Sequence, residues 1–106
     1  MVREKLPNRR HSETHNVVMG GIPFLITLGY YSDGRIGEVF VHGAKVGSTW
    51  QAILDDASVL LSILIQMGYD PERLSESMCR EVEGGAPSSI FGYILDLAVE
   101  HKAAIR

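Results

Sequence analysis

The chain has 106 residues, 45% of them hydrophobic and 22% charged, the composition of one globular domain with no room for two cores of ordinary size. Its formal net charge of −3 is not the basic signature of a nucleic-acid binder. The single cysteine, Cys79, excludes an internal disulfide, a dithiol redox pair and a thiolate zinc site within one chain.

The charge is unevenly spread. Residues 1–15 hold Arg3, Lys5, Arg9 and Arg10 against Glu4 and Glu13, a local +2 that leaves −5 for the rest of a chain totalling −3. Residues 1–13 read as a basic, irregular arm with Pro7 and Asn8 as turn formers, and residues 14–106 as a single domain. The first residues are charged and no apolar run follows them, so no secretory signal is expected. The longest apolar-rich run, 59–67, is too short to span a bilayer. A cytoplasmic location without a membrane partner is the expectation.

A weak strand is expected at 15–19, ended by Gly20-Gly21. Residues 22–31 alternate, with Phe24, Ile26, Leu28 and Tyr30 on one face and Leu25, Thr27 and Tyr31 on the other, which predicts a strand. Asp33-Gly34 then signals a hairpin, because glycine tolerates positive φ, and 37–42 is the return strand. Beyond it the period changes. Trp50, Ile53, Leu54, Ala57, Leu60, Leu61, Leu64 and Ile65 recur at threes and fours, and Val59 and Ile63 fall outside that face. The spacing predicts a long helix, apolar nearly all round, with Asp55, Asp56, Ser58, Ser62 and Gln66 on its wetter side. Such a helix suits a central position or a contact with a second subunit. Gly68 closes it. Asp70-Pro71 opens a short helix to about Cys79, and a last helix striped by Ile90, Phe91, Ile94, Leu95, Ala98 and Val99 runs to about Lys102. The predicted fold is α+β: a small antiparallel sheet packed by three helices, the first long and very apolar.

Three stretches carry a family likeness. They are Leu6-Pro7-Asn8-Arg9-Arg10 with Ser12-Glu13-Thr14; the run from Asp33-Gly34-Arg35 through Ala44-Lys45-Val46-Gly47-Ser48-Thr49; and Ser62-Ile63-Leu64-Ile65-Gln66-Met67-Gly68 with the segment 88–96. Together they resemble the TSCPD domain, which sits at the C-terminus of adenosylcobalamin-dependent ribonucleotide reductases and also occurs as short free-standing proteins. The chain departs from the motif that names the family, having Ala86-Pro87-Ser88-Ser89-Ile90 there with no cysteine. The resemblance implies kinship to a reductase. The reductase itself needs a large barrel, a radical-forming cysteine, a dithiol pair and a cobalamin site, which do not fit here. A non-catalytic accessory or regulatory role without a cofactor is therefore expected.

The residues offer candidate anion sites. Lys45, Gly47, Ser48 and Thr49 lie where a strand leads into a helix, and free amides at a helix start favour phosphate. The order and spacing are not those of a P-loop, and plain helix capping explains the same residues. Gly85, Ser88 and Ser89 form a second glycine-rich helix start, and Arg9 and Arg10 in the arm can grip phosphate or pair with carboxylates of the same domain. These nine residues are the expected ligand set for a nucleotide or other phosphate-bearing small molecule. His11 and His15 lack further ligands and His42 and His101 stand isolated, so no metal site is expected. Trp50, Tyr30, Tyr31 and Tyr93 read as core or interface residues. The competing readings are a homo-oligomeric interaction protein contacting a partner protein or nucleic acid, a subunit assisting a reductase in trans, and a phage-type protein that sequesters a nucleotide signal.

Overall fold

The computed structural model describes residues 2–43, 49–82 and 85–104. In chain order the elements are β1 (Ser12–Met19), β2 (Ile22–Tyr30), β3 (Ile36–His42), α1 (Thr49–Gln66), α2 (Pro71–Ser77) and α3 (Ile90–Ala104). The strands form one antiparallel sheet in the order β1-β2-β3, so the fold is α+β as expected.

Turn chemistry sets the register. Gly20 and Gly21, both at positive φ (59° and 77°), join Met19 to its partner Ile22 in a two-residue turn. The second hairpin is looser. Gly34 N donates to Tyr31 O at 2.9 Å and Tyr31 N to Arg35 O at 2.8 Å, and only Gly34 (φ 95°) is left-handed. A register shift follows at Gly29/Tyr30, where Glu38 pairs with Gly29 and Ile36 with Tyr30, leaving Gly37 as the extra residue. β1 starts at Ser12, three residues before the expected strand, because Ser12, Glu13 and Thr14 pair with Gly29, Leu28 and Thr27 although their side chains are exposed. A polar edge strand gives no hydrophobic signal.

The core lies on one face of the sheet. Phe24, Ile26, Leu28, Tyr30, Ile36, Val39 and Val41 meet Ile90, Ile94, Leu95 and Ala98 of α3, with Leu54 and Leu61 from α1. The short α2 is capped by Asp70, whose carboxylate accepts from Glu72 N at 3.1 Å. Arg80 fastens it to α3, donating to Asp96 at 2.8 and 3.2 Å and to Ser75 Oγ at 2.6 Å.

α1 departs most from the expectation. Ser58, Ser62 and Gln66, expected on its wet side, are buried, and so is Gln51. Trp50, Ile53, Val59 and Leu60 are instead half exposed or more. The reason is the edge of β3. Glu38, Phe40 and His42 pair inward with β2, so the main-chain groups of residues 37, 39, 41 and 43 point away from the sheet. α1 runs antiparallel along that edge and supplies partners for most of them. Gln51 accepts from Gly43 N (2.9 Å) and donates to Val41 O (3.1 Å). Ser58 Oγ accepts from Val41 N (3.2 Å). Ser62 Oγ accepts from Val39 N (2.9 Å) and donates to Val39 O (3.2 Å). Gln66 Nε2 donates to Gly37 O (2.8 Å). The spacing works because four residues of helix rise about 6.0 Å while two residues of strand advance about 6.7 Å. Helix positions 58, 62 and 66 thus meet strand positions 41, 39 and 37 in turn. Among the described residues no buried side-chain nitrogen or oxygen lacks a partner.

Ser62→Ala would strand both main-chain groups of Val39 in a dry contact. The expected loss is about 1–3 kcal/mol in denaturant unfolding, whereas Leu60→Ala on the exposed side should change stability by less than about 0.5 kcal/mol. Equal effects from the two variants would sink this account of α1.

Candidate functional site

The N-terminal segment is bound to the domain rather than solvated. At one end Glu4 N donates to Gln66 O (2.7 Å), and the Tyr31 hydroxyl donates to Glu4 O (2.7 Å). Arg35 sends both Nη atoms to the Glu4 carboxylate at 3.1 and 2.9 Å, and its guanidinium lies 4.7 Å from the centre of the Tyr31 ring. Leu6 packs on Gly37, where a Cβ would sit 2.5 Å from Leu6 Cδ2 and 2.7 Å from the Tyr31 ring. At the other end Arg10 grips Glu38 with Nε (2.7 Å) and Nη2 (3.1 Å), and its Nη1 donates to Pro7 O (2.7 Å). Glu38 reaches Arg10 by lying across Gly29, where a Cβ would collide with its Oε1. Two glycines on the strands therefore admit the segment.

Between this segment and the end of α1 lies an open groove of about 540 Å³, lined by Arg3, Lys5, Leu6, Asn8, Arg10, Glu38 and Gln66. Three cations face one carboxylate. Arg3 is fixed by its Nε bond to Gln66 Oε1 (2.5 Å), and no described carboxylate pairs with it. Lys5 has no hydrogen bond or ion pair to another described residue, and the same holds for the exposed Arg9. Two oriented guanidinium groups with an unpaired ammonium beside them can hold an anion of phosphate type.

Of the expected ligand residues that are described, only Arg10 lines this groove. Lys45, Gly47 and Ser48 lie outside the described residues. Thr49 is the exposed first residue of α1, about 26 Å from Gln66 at the groove end of that helix by its rise. Gly85, Ser88 and Ser89 are engaged locally. Gly85 N donates to Val82 O and its carbonyl accepts from Arg80, both at 2.8 Å. Ser88 N donates to Cys79 O (2.8 Å), and Ser89 Oγ accepts from Gly92 N (3.2 Å) at the start of α3. Arg3 and Lys5 contribute to the charge of the arm, but nothing in their spacing signals that they line a groove with Gln66, which lies 63 positions from Arg3.

A second cluster also escapes the sequence. The Tyr30 hydroxyl donates to Glu13 at 2.7 Å, and His11 Nε2 and His15 Nε2 each lie 3.3 Å from a Glu13 oxygen. The rings of His11 and His101 stand 5.3 and 5.6 Å from that of Tyr30, so His101 is not isolated. Positions 11, 13 and 15 share one face of an extended chain, a period-two signal that goes unread when the strand is begun at residue 15. The Tyr30 hydroxyl above all, and then His11, hold the Glu13 carboxyl down at about 2, while burial first and Glu13 second push the Tyr30 phenol up. The two groups are thus a fixed carboxylate and a fixed phenol at neutral pH, a brace rather than an acid–base couple. Among the described residues no group of three histidine, cysteine or carboxylate side chains is arranged to hold a metal ion.

The brace sets a pH dependence. A carboxyl depressed from 4.5 to about 2 adds stability that is present above 4.5 and is lost as pH falls through about 2. In Tyr30→Phe the largest cause is gone, so an NMR titration should find Glu13 well above its wild-type midpoint. An unchanged midpoint would show that Tyr30 does not hold the carboxylate.

The chain is similar to proteins named vitamin B12-dependent ribonucleotide reductase: 36% identical over 75 residues to that of Agrobacterium fabrum and 44% over 70 residues to that of Rhodopirellula baltica. A third, from Streptomyces coelicolor, is 36% identical over 71 residues. These matches take in 71%, 66% and 67% of the chain but only 6–7% of the relatives' length. No solved structure is significantly similar. The TSCPD domain family matches residues 2–97, which includes the docked N-terminal segment, the capped sheet edge and most of α3, and the chain belongs to that family.

Proposed function

We propose that the chain is a non-catalytic accessory or regulatory domain that binds a nucleotide or another phosphate-bearing small molecule in the groove formed by Arg3, Lys5 and Arg10. The observation that carries this reading is the groove's charge: three cations, two of them held in place by Gln66 and Glu38, around a volume of about 540 Å³. A guanidinium already oriented by a second bond loses little further freedom on meeting phosphate. The relatives' name ties the family to ribonucleotides, and a chain matching 6–7% of their length suits an auxiliary part better than the reaction itself. The glycine loop before α1, with Lys45, is the alternative seat for the same ligand class.

A second reading has its own support. Trp50, Ile53, Val59 and Leu60 leave apolar surface on the outer side of α1, between 50% and 64% exposed. In the relatives this domain is joined to a far larger protein. The surface would then meet a partner, with the chain assisting a reductase in trans.

Thermal unfolding against nucleoside di- and triphosphates, cyclic oligonucleotides and inorganic phosphate separates the readings. A ligand at a hundred times its Kd adds about 2.7 kcal/mol, which moves the midpoint by several degrees. Lys5→Ala, which breaks no bond between described residues, should weaken that ligand about tenfold, or about 1.4 kcal/mol, and Lys45→Ala should not. The reverse pattern moves the site to the loop, and a flat panel removes ligand binding altogether.

A further inference from the structure

The two edges of the sheet are treated differently. On β3, the outward N–H groups of Val39, Val41 and Gly43 and the carbonyls of Gly37, Val39 and Val41 are met by α1, while β1 pairs with β2 on one side and with no described residue on the other. Its outward groups can be identified. Glu38, Phe40 and His42 pair inward with Gly29, Thr27 and Leu25, so the alternate β2 residues face β1 and bond Glu13, His15 and Val17. The bond from Tyr30 N to His11 O (3.0 Å) continues that phase. The main-chain groups of Ser12, Thr14, Asn16 and Val18 therefore point outward. None of them has a partner among the described residues.

Sheet edges left open in this way normally carry a device against further pairing: proline, lysine, an inward-pointing charge, a bulge or extreme shortness. Of these β1 has only the charge of Glu13, whose carboxylate is already engaged by Tyr30, His11 and His15. It runs eight residues in unbroken register and contains neither proline nor a cation of lysine or arginine type. Its sequence is also compatible with itself. Antiparallel pairing of two β1 strands about a two-fold axis at His15 sets Thr14 against Asn16 of the second copy, a hydroxyl facing an amide. Ser12 meets Val18 of the second copy, and Glu13 meets Val17 of the second copy, so no two carboxylates are opposed. His15 meets its counterpart with Glu13 beside it on each strand.

We propose that β1 is the interface at which two copies of this chain pair, joining their sheets into one of six strands. The pairing is isologous: one patch serves both copies and the assembly closes. It also lengthens a three-stranded sheet, at the lower limit for independent stability, to a common size. This inference does not depend on the phosphate groove, whose lining residues precede β1 or lie on β3 and α1.

Sedimentation velocity and light scattering at micromolar concentration should give twice the 11.7 kDa chain mass. Asn16→Pro deletes an outward N–H and leaves the β1–β2 ladder whole, so it should give a folded monomer by circular dichroism. Amide exchange of the wild-type chain supplies a readout that needs no variant: Thr14 and Asn16 should exchange at least about tenfold more slowly than open-edge amides. A monomeric wild-type chain overturns the proposal. So does a dimer in which Thr14 and Asn16 exchange freely and Leu60→Asp, on the exposed side of α1, dissociates the copies.

Discussion

The outward backbone groups of β3 must be satisfied in a contact that excludes water, and the sheet ends there without a further strand to take them. α1 stands in that strand's place. Its two serines sit at the middle of the contact and its two glutamines at the ends. That order follows from geometry. A strand twists and a helix axis is nearly straight, so the two diverge away from their closest approach. Near the centre only a short side chain fits between backbone and backbone, while towards Gly43 and Gly37 a longer amide is needed to span the gap. The arrangement leaves α1 little choice about which face it buries, and its apolar side chains are distributed accordingly, Leu54 and Leu61 inward and Trp50, Ile53 and Leu60 outward.

The same contact builds the candidate site. Gln66 closes the row with one side-chain end on Gly37 O and the other on Arg3, and its own carbonyl receives Glu4 N. One residue therefore ends the capped edge and begins the dock for the N-terminal segment. From there the segment follows the sheet by glycine: Gly37 admits Leu6, and Gly29 lets Glu38 lie flat enough to meet Arg10. A methyl group at either position would collide with those side chains, so the groove depends on strand residues that do not line it.

The parts of the molecule legible in the sequence are those governed by local rules. The alternation in β2, the glycine turns, the Asp70-Pro71 start of α2 and the Gly68 stop after α1 (φ 88°) each express a constraint felt within a few residues. What escapes is non-local. A serine that accepts from a strand 23 residues away has the same composition signal as one facing solvent, so polarity alone puts Ser62 on the wet side. Hydrophobic periodicity does not mark the start of β1, since an edge strand with exposed side chains has none to offer. For the site, Arg10 is visible as charge in the arm, while its partner Glu38 and the participation of Arg3 and Lys5 follow only from where the segment docks.

On the proposed reading, Glu38 shapes what the groove accepts. It already occupies two of the donors of Arg10, so an incoming anion either uses the donors that remain or displaces the carboxylate. Displacement exchanges one charge-assisted bidentate contact for another and gains little for a singly charged ligand. A phosphate carrying more negative charge gains from Lys5 and Arg3 as well, which the carboxylate does not reach. The built-in carboxylate thus raises the threshold for weak anions such as chloride or acetate without closing the groove to phosphates. It also keeps Arg10 ordered when nothing is bound, so the cost of arranging the site is met during folding rather than at the moment of binding.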